Sequence, residues 1–186
     1  MSESKKKVKI GVEGGFEGPL PIAKVKAEYE LDLGSVEVQE GTYYIMNKLS
    51  GKVLDVNEWS KENGANVHQW DYTEGQNQQW RISHASNGYY NLIAVHSNKA
   101  LDVDGKSTID GANVHQWAFN GDDNEQWEFI IAGDGTYFIK AKHSGKVLDV
   151  DGWSQDNGAN IHQWSCHGGD NQKWKLIKIF LGRMVT

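Results

Sequence analysis

The chain of 186 residues contains a single cysteine, Cys166, and only two prolines. One cysteine cannot form a disulfide within the chain, so cysteine pairing says nothing about the compartment. A chain of this length can bury a stable core without covalent cross-links, and we expect Cys166 to be a small loop residue. The scarcity of proline beside 21 glycines is typical of many tight turns between short strands.

Long apolar runs are also missing. No stretch approaches the roughly 20 apolar residues that cross a membrane, and no apolar run follows the basic start of the chain, as a secretory signal requires. The protein is therefore cytoplasmic, exported by an unusual route, or cut from a longer precursor. We expect a secreted or extracellular protein that is part of a longer precursor, and a cytoplasmic one stays open.

The chain also has fewer basic than acidic residues. The chain has 19 Lys and Arg against 25 Asp and Glu, a net charge of −6, which argues against nucleic acid as a partner because its binders present a concentrated basic face. The chain also lacks a phosphate-binding loop, a Ser/His/Asp order and a metal-ligand cluster. We therefore expect no catalytic site, no cofactor and no metal.

What the chain does contain is a repeat. The stretch Leu54–Trp80 recurs as Leu101–Trp127 and Leu148–Trp174, each copy 47 residues after the last, with no gap between Gly41 and Ile177. A fixed period of this size indicates one supersecondary unit that is repeated. We expect a repeat domain at 41–181, divided into 41–87, 88–134 and 135–181.

Residues 1–40 lie outside the repeat. Apolar and charged residues alternate from Ala23 to Leu33, a pattern of period two that predicts a half-buried strand. The segment Val8–Val12 also alternates, and two such strands alone would be at best marginally stable. We expect this N-terminal extended β arm to pack on the repeat domain, to pair with a second copy in a homo-oligomer, or to be the remnant of a neighbouring domain.

Each repeat reads as four short strands separated by turn residues. In the first copy we predict strands near Thr42–Lys48, Lys52–Val56, Asn66–Trp70 and Gln78–Ile82, because glycine-containing turn pairs separate them. Twelve strands with no helix of note could form a propeller, but about four blades is its usual minimum. Three units around a threefold axis fit better.

Alternation along these strands assigns their faces. Leu54 and Val56 share one face, and the core should be built from Leu54, Val56, Val67, Trp80 and Ile82 with their counterparts. Asp55, His68 and Trp70 then point away from the core. The histidines could simply support the tryptophans, or bind a metal on the axis, although their shared face with the outward Trp argues against a metal.

Outward-facing Trp and Asp suit a sugar. An ionised carboxylate accepts hydroxyl protons in strong charge-assisted bonds, an indole face covers the C–H patch of the ring, and a carboxamide can both donate and accept. Such exposed pockets should each be weak, and three on one body regain strength through avidity.

The three copies resemble ricin B-type lectin domains, also classed as family 13 carbohydrate-binding modules. The resemblance covers Gly41 to about Ile177 and rests on the LDV strand, the GANVHQW strand and the closing Asn-Gln-x-Trp motif. That motif stands as Asn77–Trp80 and Asn171–Trp174, while the middle copy reads Asn124-Glu125-Gln126-Trp127. The resemblance implies an all-β fold, a β-trefoil with one shallow sugar pocket in each subdomain.

The resemblance also implies roles for residues. The Asp accepts bonds from sugar hydroxyls, the aromatic stacks on the ring, the Asn donates to a hydroxyl, and the Gln of the motif braces the Asp. Carried over to this chain, the ligand-binding residues are Asp55, His68, Trp70, Asn77 and Gln78; Asp102, His115, Trp117 and Asn124; and Asp149, His162, Trp164, Asn171 and Gln172.

Departures from the threefold pattern set the copies apart. Glu125 replaces the brace Gln, and a carboxylate cannot donate to Asp102 unless it is protonated, so the middle pocket should be weaker. Trp59 and Trp153 stand in a loop where the middle copy has Lys106; they either pack that loop or widen the outer pockets for a longer glycan. Trp153 is included among the ligand-binding residues, as is His167 for the third pocket.

We therefore expect a multivalent carbohydrate-binding module for mono- or oligosaccharides, glycoconjugates or polysaccharide, specifically galactose-type sugars or a plant polysaccharide such as xylan. It should not be an enzyme, because a glycosidase needs two carboxylates flanking one bond and each copy offers a single recurring one. The alternative is the receptor-targeting module of a toxin, which binds a protein or glycoprotein.

Overall fold

A computed structural model describes residues 37–179 of the chain. Nearly all of the predicted arm, and its predicted strand, therefore lies outside the described residues. Of its last four positions, Val38 is buried in the core, and its backbone N–H donates to the hydroxyl of Tyr90 at 2.9 Å. Contacts of the repeat domain thus begin before Gly41.

The described residues form twelve strands, as predicted, and six 3-10 turns of three residues each. The strands are β1 Gly41–Asn47, β2 Val53–Val56, β3 Val67–Trp70, β4 Trp80–His84, β5 Tyr90–Ala94, β6 Ala100–Val103, β7 Val114–Trp117, β8 Gln126–Gly133, β9 Thr136–Ala141, β10 Val147–Val150, β11 Ile161–Trp164 and β12 Trp174–Lys178. The 3-10 turns are Asn57–Trp59, Gln76–Gln78, Asp104–Lys106, Asp123–Glu125, Asp151–Trp153 and Asp170–Gln172. Within residues 37–179, no helix has the length and apolar character to cross a bilayer.

Six of the strands close into a barrel. Antiparallel pairing runs from β1 to β4, β5, β8, β9 and β12 and back to β1. The other six form three hairpins, β2–β3, β6–β7 and β10–β11, each joined to the barrel through its first strand. This is the β-trefoil that the repeat and the resemblance predicted.

Three tryptophans anchor the core. Trp80, Trp127 and Trp174 are fully buried, and the indole N–H of each donates to the backbone carbonyl of Leu54, Leu101 or Leu148, at 3.0–3.2 Å. A buried indole N–H needs such a partner. The predicted core assignment of the motif Trp is confirmed, and the bond fixes β4 and its counterparts against the strands that carry the aspartates.

The hairpins meet at the threefold axis through amide side chains. Asn66, Asn113 and Asn160 form a closed ring in which each carboxamide donates to the next at 2.9–3.0 Å. Beside it the buried Gln69 donates to the carbonyls of Ser154 and Asp156 in the third repeat, and Gln116 and Gln163 do the same in turn. The repeats are therefore tied to one another by polar side chains as well as by the core.

Candidate functional site

Three open pockets lie on the surface, one in each repeat. Their volumes are about 270, 260 and 480 Å³ in the first, second and third repeat. The lining residues are Asp55, Asn57, Glu58, Trp59, His68, Trp70, Thr73 and Asn77; Asp102, Asp104, Gly105, Lys106, His115, Trp117, Asn120 and Asn124; and Asp149, Asp151, Gly152, Trp153, His162, Trp164, His167 and Asn171. The structure thus brings the sequence-predicted residues together at three places, except that Gln78 and Gln172 are fully buried and line no pocket.

Each pocket has a buried carboxylate at its floor. Asp55, Asp102 and Asp149 are only 3–5% exposed, and Oδ1 of each lies 3.0–3.1 Å from Nε2 of the histidine on the neighbouring strand. The sequence predicted that these residues point away from the core. It did not predict their burial, because strand alternation gives a direction and says nothing of the 3-10 turns that cover that face.

Glutamine braces the aspartate in the first and third repeats. Gln78 donates to Asp55 Oδ2 at 2.8 Å and to the Asp71 carbonyl at 2.8 Å, while its own side-chain oxygen accepts from the Thr73 N–H. Gln172 makes the equivalent bonds to Asp149 Oδ2 and the backbone. Both amide protons and the carbonyl oxygen of the brace are therefore used.

Glu125 stands in this place in the second repeat and is fully buried. Its Oε2 accepts from the N–H groups of Asn120 and Gly121 at 3.0 and 2.9 Å, but Oε1 is buried without a hydrogen-bond partner. Burial raises the pKa of the Glu125 carboxyl; the two N–H bonds oppose this shift, and the negative charges of Asp102 and Asp122 add to it. The floor of the second pocket is thus chemically different.

The motif asparagines support the floor from the side. Asn77, Asn124 and Asn171 each donate to the carbonyl of the valine that follows the aspartate, at 3.1–3.2 Å. Asn124 and Asn171 also donate to the aspartate itself. Both amide protons of these two residues are engaged, so donation to a ligand, which the resemblance implied, requires one of these bonds to be exchanged.

One wall of each pocket is an outward-facing tryptophan. Trp70, Trp117 and Trp164 are 39–41% exposed and lie against the ring of the pocket histidine, with ring centroids 5.3–5.5 Å apart. The far edge of each indole covers a glycine of another repeat: Gly158 for Trp70, Gly64 for Trp117 and Gly111 for Trp164. Each wall is therefore held by two repeats.

The opposite wall of each pocket differs between the repeats, and the two positions that form it change together. Trp59 and Trp153 pack over Gly75 and Gly169, where an added Cβ would lie closer than any real Cβ contact. In the middle repeat the corresponding pair is Lys106 and Asp122, whose charged groups meet at 2.7 Å.

The two loop tryptophans are 52–53% exposed and have positive φ angles of 55° and 57°, a conformation that costs a non-glycine residue energy. That strained backbone holds each indole at the pocket rim, so the outer pockets have two aromatic walls and the middle pocket has one. The sequence left open whether these tryptophans pack the loop or widen the outer pockets. At this position each indole packs on the glycine of its repeat and also lines the pocket.

His167 adds a contact to the floor aspartate of the third pocket. Its Nε2 lies 3.3 Å from Asp149 Oδ2, and its ring stacks on Trp153 with centroids 5.5 Å apart. Asp149 thereby has four neighbouring nitrogen atoms, including those of His162, Asn171 and Gln172. The first and second aspartates each have two.

Several lining residues were missed from the sequence, and three of them recur at one position of the repeat. Asn57, Asp104 and Asp151 each follow their pocket aspartate by two positions, a recurrence of short polar residues that could have revealed them. Within residues 37–179, no group of three or more His, Cys, Asp or Glu side chains is arranged to hold a metal ion.

Comparison with known proteins gives consistent matches over the repeats. The family described as ricin-type beta-trefoil lectin domain-like matches residues 28–117 and 123–183. The designed threefold-symmetric protein ThreeFoil is 51% identical, with a TM-score of 0.74, over 75% of this chain and 99% of that one. The exo-β-1,3-galactanase 1,3Gal43A of Clostridium thermocellum is 42% identical, with a TM-score of 0.73, over 75% of this chain and 30% of that one.

Among curated proteins, the clotting factor G alpha subunit of Tachypleus tridentatus is 38% identical over 53 residues, 28% of this chain. The chain spans only 8% of the length of that relative, and less than a third of the galactanase. The likeness to these two natural proteins is therefore a likeness to one part of each.

Proposed function

Because the chain belongs to the ricin-type β-trefoil lectin-like family, whose fold implies carbohydrate binding, we propose that it binds galactose-type sugars in three separate pockets. The observation that carries the proposal is the pairing, three times over, of a buried carboxylate with a half-exposed indole. The carboxylate accepts hydroxyl protons, and the indole covers the apolar face of the ring.

The hydrogen bonds at the floor support this role for the aspartates. A carboxylate has about four acceptor positions, and Asp55 and Asp102 each use two of them on neighbouring side chains. The remaining positions are open to hydroxyl groups of a ligand. In the third pocket a hydroxyl that reaches Asp149 takes the place of His167, the most distant of its four partners, and the imidazole ring then borders the ligand.

The second tryptophan wall extends the proposal to ligand size. Trp59 and Trp153 offer a second apolar surface beside Trp70 and Trp164, so the first and third pockets suit two linked sugar units, whereas the middle pocket suits one. The galactanase relative, whose name gives its substrate as β-1,3-galactan, favours galactose over xylose as the recognised sugar. It also supports a parent protein in which this module targets an attached enzyme.

The module itself acts by binding. Each pocket floor holds a single buried aspartate, and the second carboxylate of each lining, Glu58, Asp104 or Asp151, is exposed to solvent. Hydrolysis needs an acid and a base or nucleophile that flank one glycosidic bond, and a catalytic centre would be unique rather than present three times. Three weak pockets on one rigid body can raise overall affinity by about 10²–10⁴ where the ligand geometry allows it.

Calorimetric titration with lactose, galactose and xylo-oligosaccharides tests the proposal. We expect up to three lactose molecules per chain, and loss of binding when Trp70, Trp117 and Trp164 are replaced together by alanine. Tyr72→Ala is the control, since Tyr72 is an aromatic residue that is also exposed, at 49%, and lines none of the three pockets.

Preference for xylo-oligosaccharides over lactose would move the specificity from galactose to xylan. A negative glycan array together with binding of a protein receptor would replace the sugar proposal by a receptor-targeting module.

A further inference from the structure

The side chain beneath Asp102 distinguishes the second pocket from its two counterparts. We propose that Glu125 carries a proton in the folded protein and shares it with Asp102, so that sugar binding in the second pocket, unlike the first and third, weakens as the pH rises. The inference rests on the proposed function only for its second half, since the proton itself is a property of the protein without ligand.

Comparison with the first and third repeats indicates which oxygen of Glu125 carries the proton. Glu125 Oε2 accepts from the backbone at the same two positions as Gln172 Oε1, and Gln78 Oε1 accepts at the first of them. Glu125 Oε1 therefore occupies the place from which the amide Nε2 of the glutamines donates to the aspartate. In the second repeat that oxygen is buried with no partner. A proton on Oε1 restores the missing donor.

The surroundings offer an ionised Glu125 little compensation. Asp102 and Asp122 are the carboxylates that face it and repel its charge. Of the nearby basic groups, Lys106 is held by Asp122 at 2.7 Å, Lys142 by Asp123 at 2.7 Å, and His115 by Asp102 at 3.0 Å. An isolated buried charge is costly, and two adjacent carboxylates cannot easily both ionise.

Asn124 shows how the second floor adapts. Its amide donates to Asp102 Oδ2 at 2.6 Å, whereas Asn171 donates to Oδ1 of Asp149 and leaves Oδ2 to the glutamine. The asparagine thus bonds the oxygen that the glutamine brace serves elsewhere. If Glu125 loses its proton to solvent, only the contacts with Asn124 and His115 hold Asp102 against the repulsion of a second carboxylate. Asp102 then shifts, and its acceptor oxygens leave the positions that bind the sugar.

The test combines a titration with a binding measurement on the full chain. Carbon-13 NMR of the side-chain carboxyl groups, with Glu125→Gln to assign the signal, should give Glu125 a titration midpoint clearly above its ordinary value of 4.5. Lactose binding is measured in parallel on a variant with Asp55→Ala and Asp149→Ala, in which the second pocket alone remains.

We expect the affinity of that single pocket to fall by about tenfold or more as the pH passes the NMR midpoint, the effect of losing a charge-assisted bond. Adding Glu125→Gln should abolish the fall. The reciprocal change, Gln172→Glu in a variant that keeps only the third pocket, should create the same dependence.

A normal midpoint for Glu125, or a second pocket whose affinity is flat across the observed midpoint, would overturn the inference. Absence of lactose binding by the parent chain at every pH would instead overturn the proposed function. In that case the NMR titration still decides whether Glu125 holds a proton.

Discussion

The glycine beneath the second wall of the third pocket allows a direct test of how the pocket is shaped. Gly169 has a φ angle of −67°, which any residue can adopt, so Gly169→Ala introduces no backbone strain. The added methyl group would collide with the indole of Trp153 and lie 2.6 Å from Asn171 Oδ1 and 2.7 Å from His167 Cε1. The variant therefore perturbs the wall, and it also crowds Asn171 and His167, which contact the floor aspartate.

The size of the effect follows from which neighbours can move. Overpacking of a filled site costs about 1–3 kcal/mol. Trp153 is 52% exposed and can swing outward, whereas Asn171 is held by two hydrogen bonds. We expect a loss of about 1–2 kcal/mol in the free energy of unfolding. Loss of the indole contact with the ligand, worth about 0.5–1.5 kcal/mol, should weaken binding about two- to twelvefold.

The assay uses a variant with Asp55→Ala and Asp102→Ala, which keeps only the third pocket. Calorimetry with lactose and with a longer galacto-oligosaccharide should show a greater loss for the longer ligand, and Trp153→Ala should reproduce that difference. Asp122→Ala at the matching position of the second repeat is the control, because a Cβ is already present there. Unchanged affinity of the Gly169→Ala variant for both ligands would refute the assignment of Trp153 as a binding wall.

Three further predictions concern the axis, the third pocket and pH. Gln69→Ala should lower the free energy of unfolding in urea by about 2–4 kcal/mol, because the buried Gln69 side chain makes three hydrogen bonds that are lost. Replacement of the exposed Gln76 by alanine should change it by less than about 0.5 kcal/mol, and equal effects would contradict the interlock between repeats. His167→Thr, which restores the residue of the first repeat, should free an acceptor on Asp149 and strengthen lactose binding in a chain that keeps only the third pocket; weaker binding would show that the imidazole is a necessary ligand contact. The pKa of Glu125 is raised in the folded state, so the contribution of Glu125 to stability is complete at pH values below the unfolded pKa and is lost as the pH rises through the folded pKa. In urea unfolding, Glu125→Gln should therefore increase stability more at pH 8 than at pH 4. A difference that does not change with pH would argue against the raised pKa.

Much of the fold could be predicted from the sequence because its information is local and repeated. The 47-residue period fixes three equivalent units, and alternation around Leu54 and Val67 identifies the core face. The same alternation places Asp55 and Trp70 away from that face. These properties depend only on spacing along the chain, and twelve strands in a β-trefoil follow from them.

The remaining features depend on distances that the spacing does not encode. The pairing of Trp59 with Gly75, and of Lys106 with Asp122, joins residues 16 positions apart across a pocket. The paired change from Trp and Gly to Lys and Asp can be recognised in the sequence only once the contact between the two positions is known. Likewise, nothing in the motif indicates that Gln69 reaches the third repeat.

The packing of each outward tryptophan on a glycine of another repeat has a consequence for how such a domain could arise. Trp117 rests on the first repeat, Trp164 on the second, and Trp70 on the third, so the dependence runs in a circle. A lone 47-residue ancestor would lack a backing for its outward-facing indole and would gain complete pockets by assembling as three identical chains. A gene with two copies would complete one wall and leave the other unsupported. Triplication is thus the smallest covalent form in which every pocket is whole.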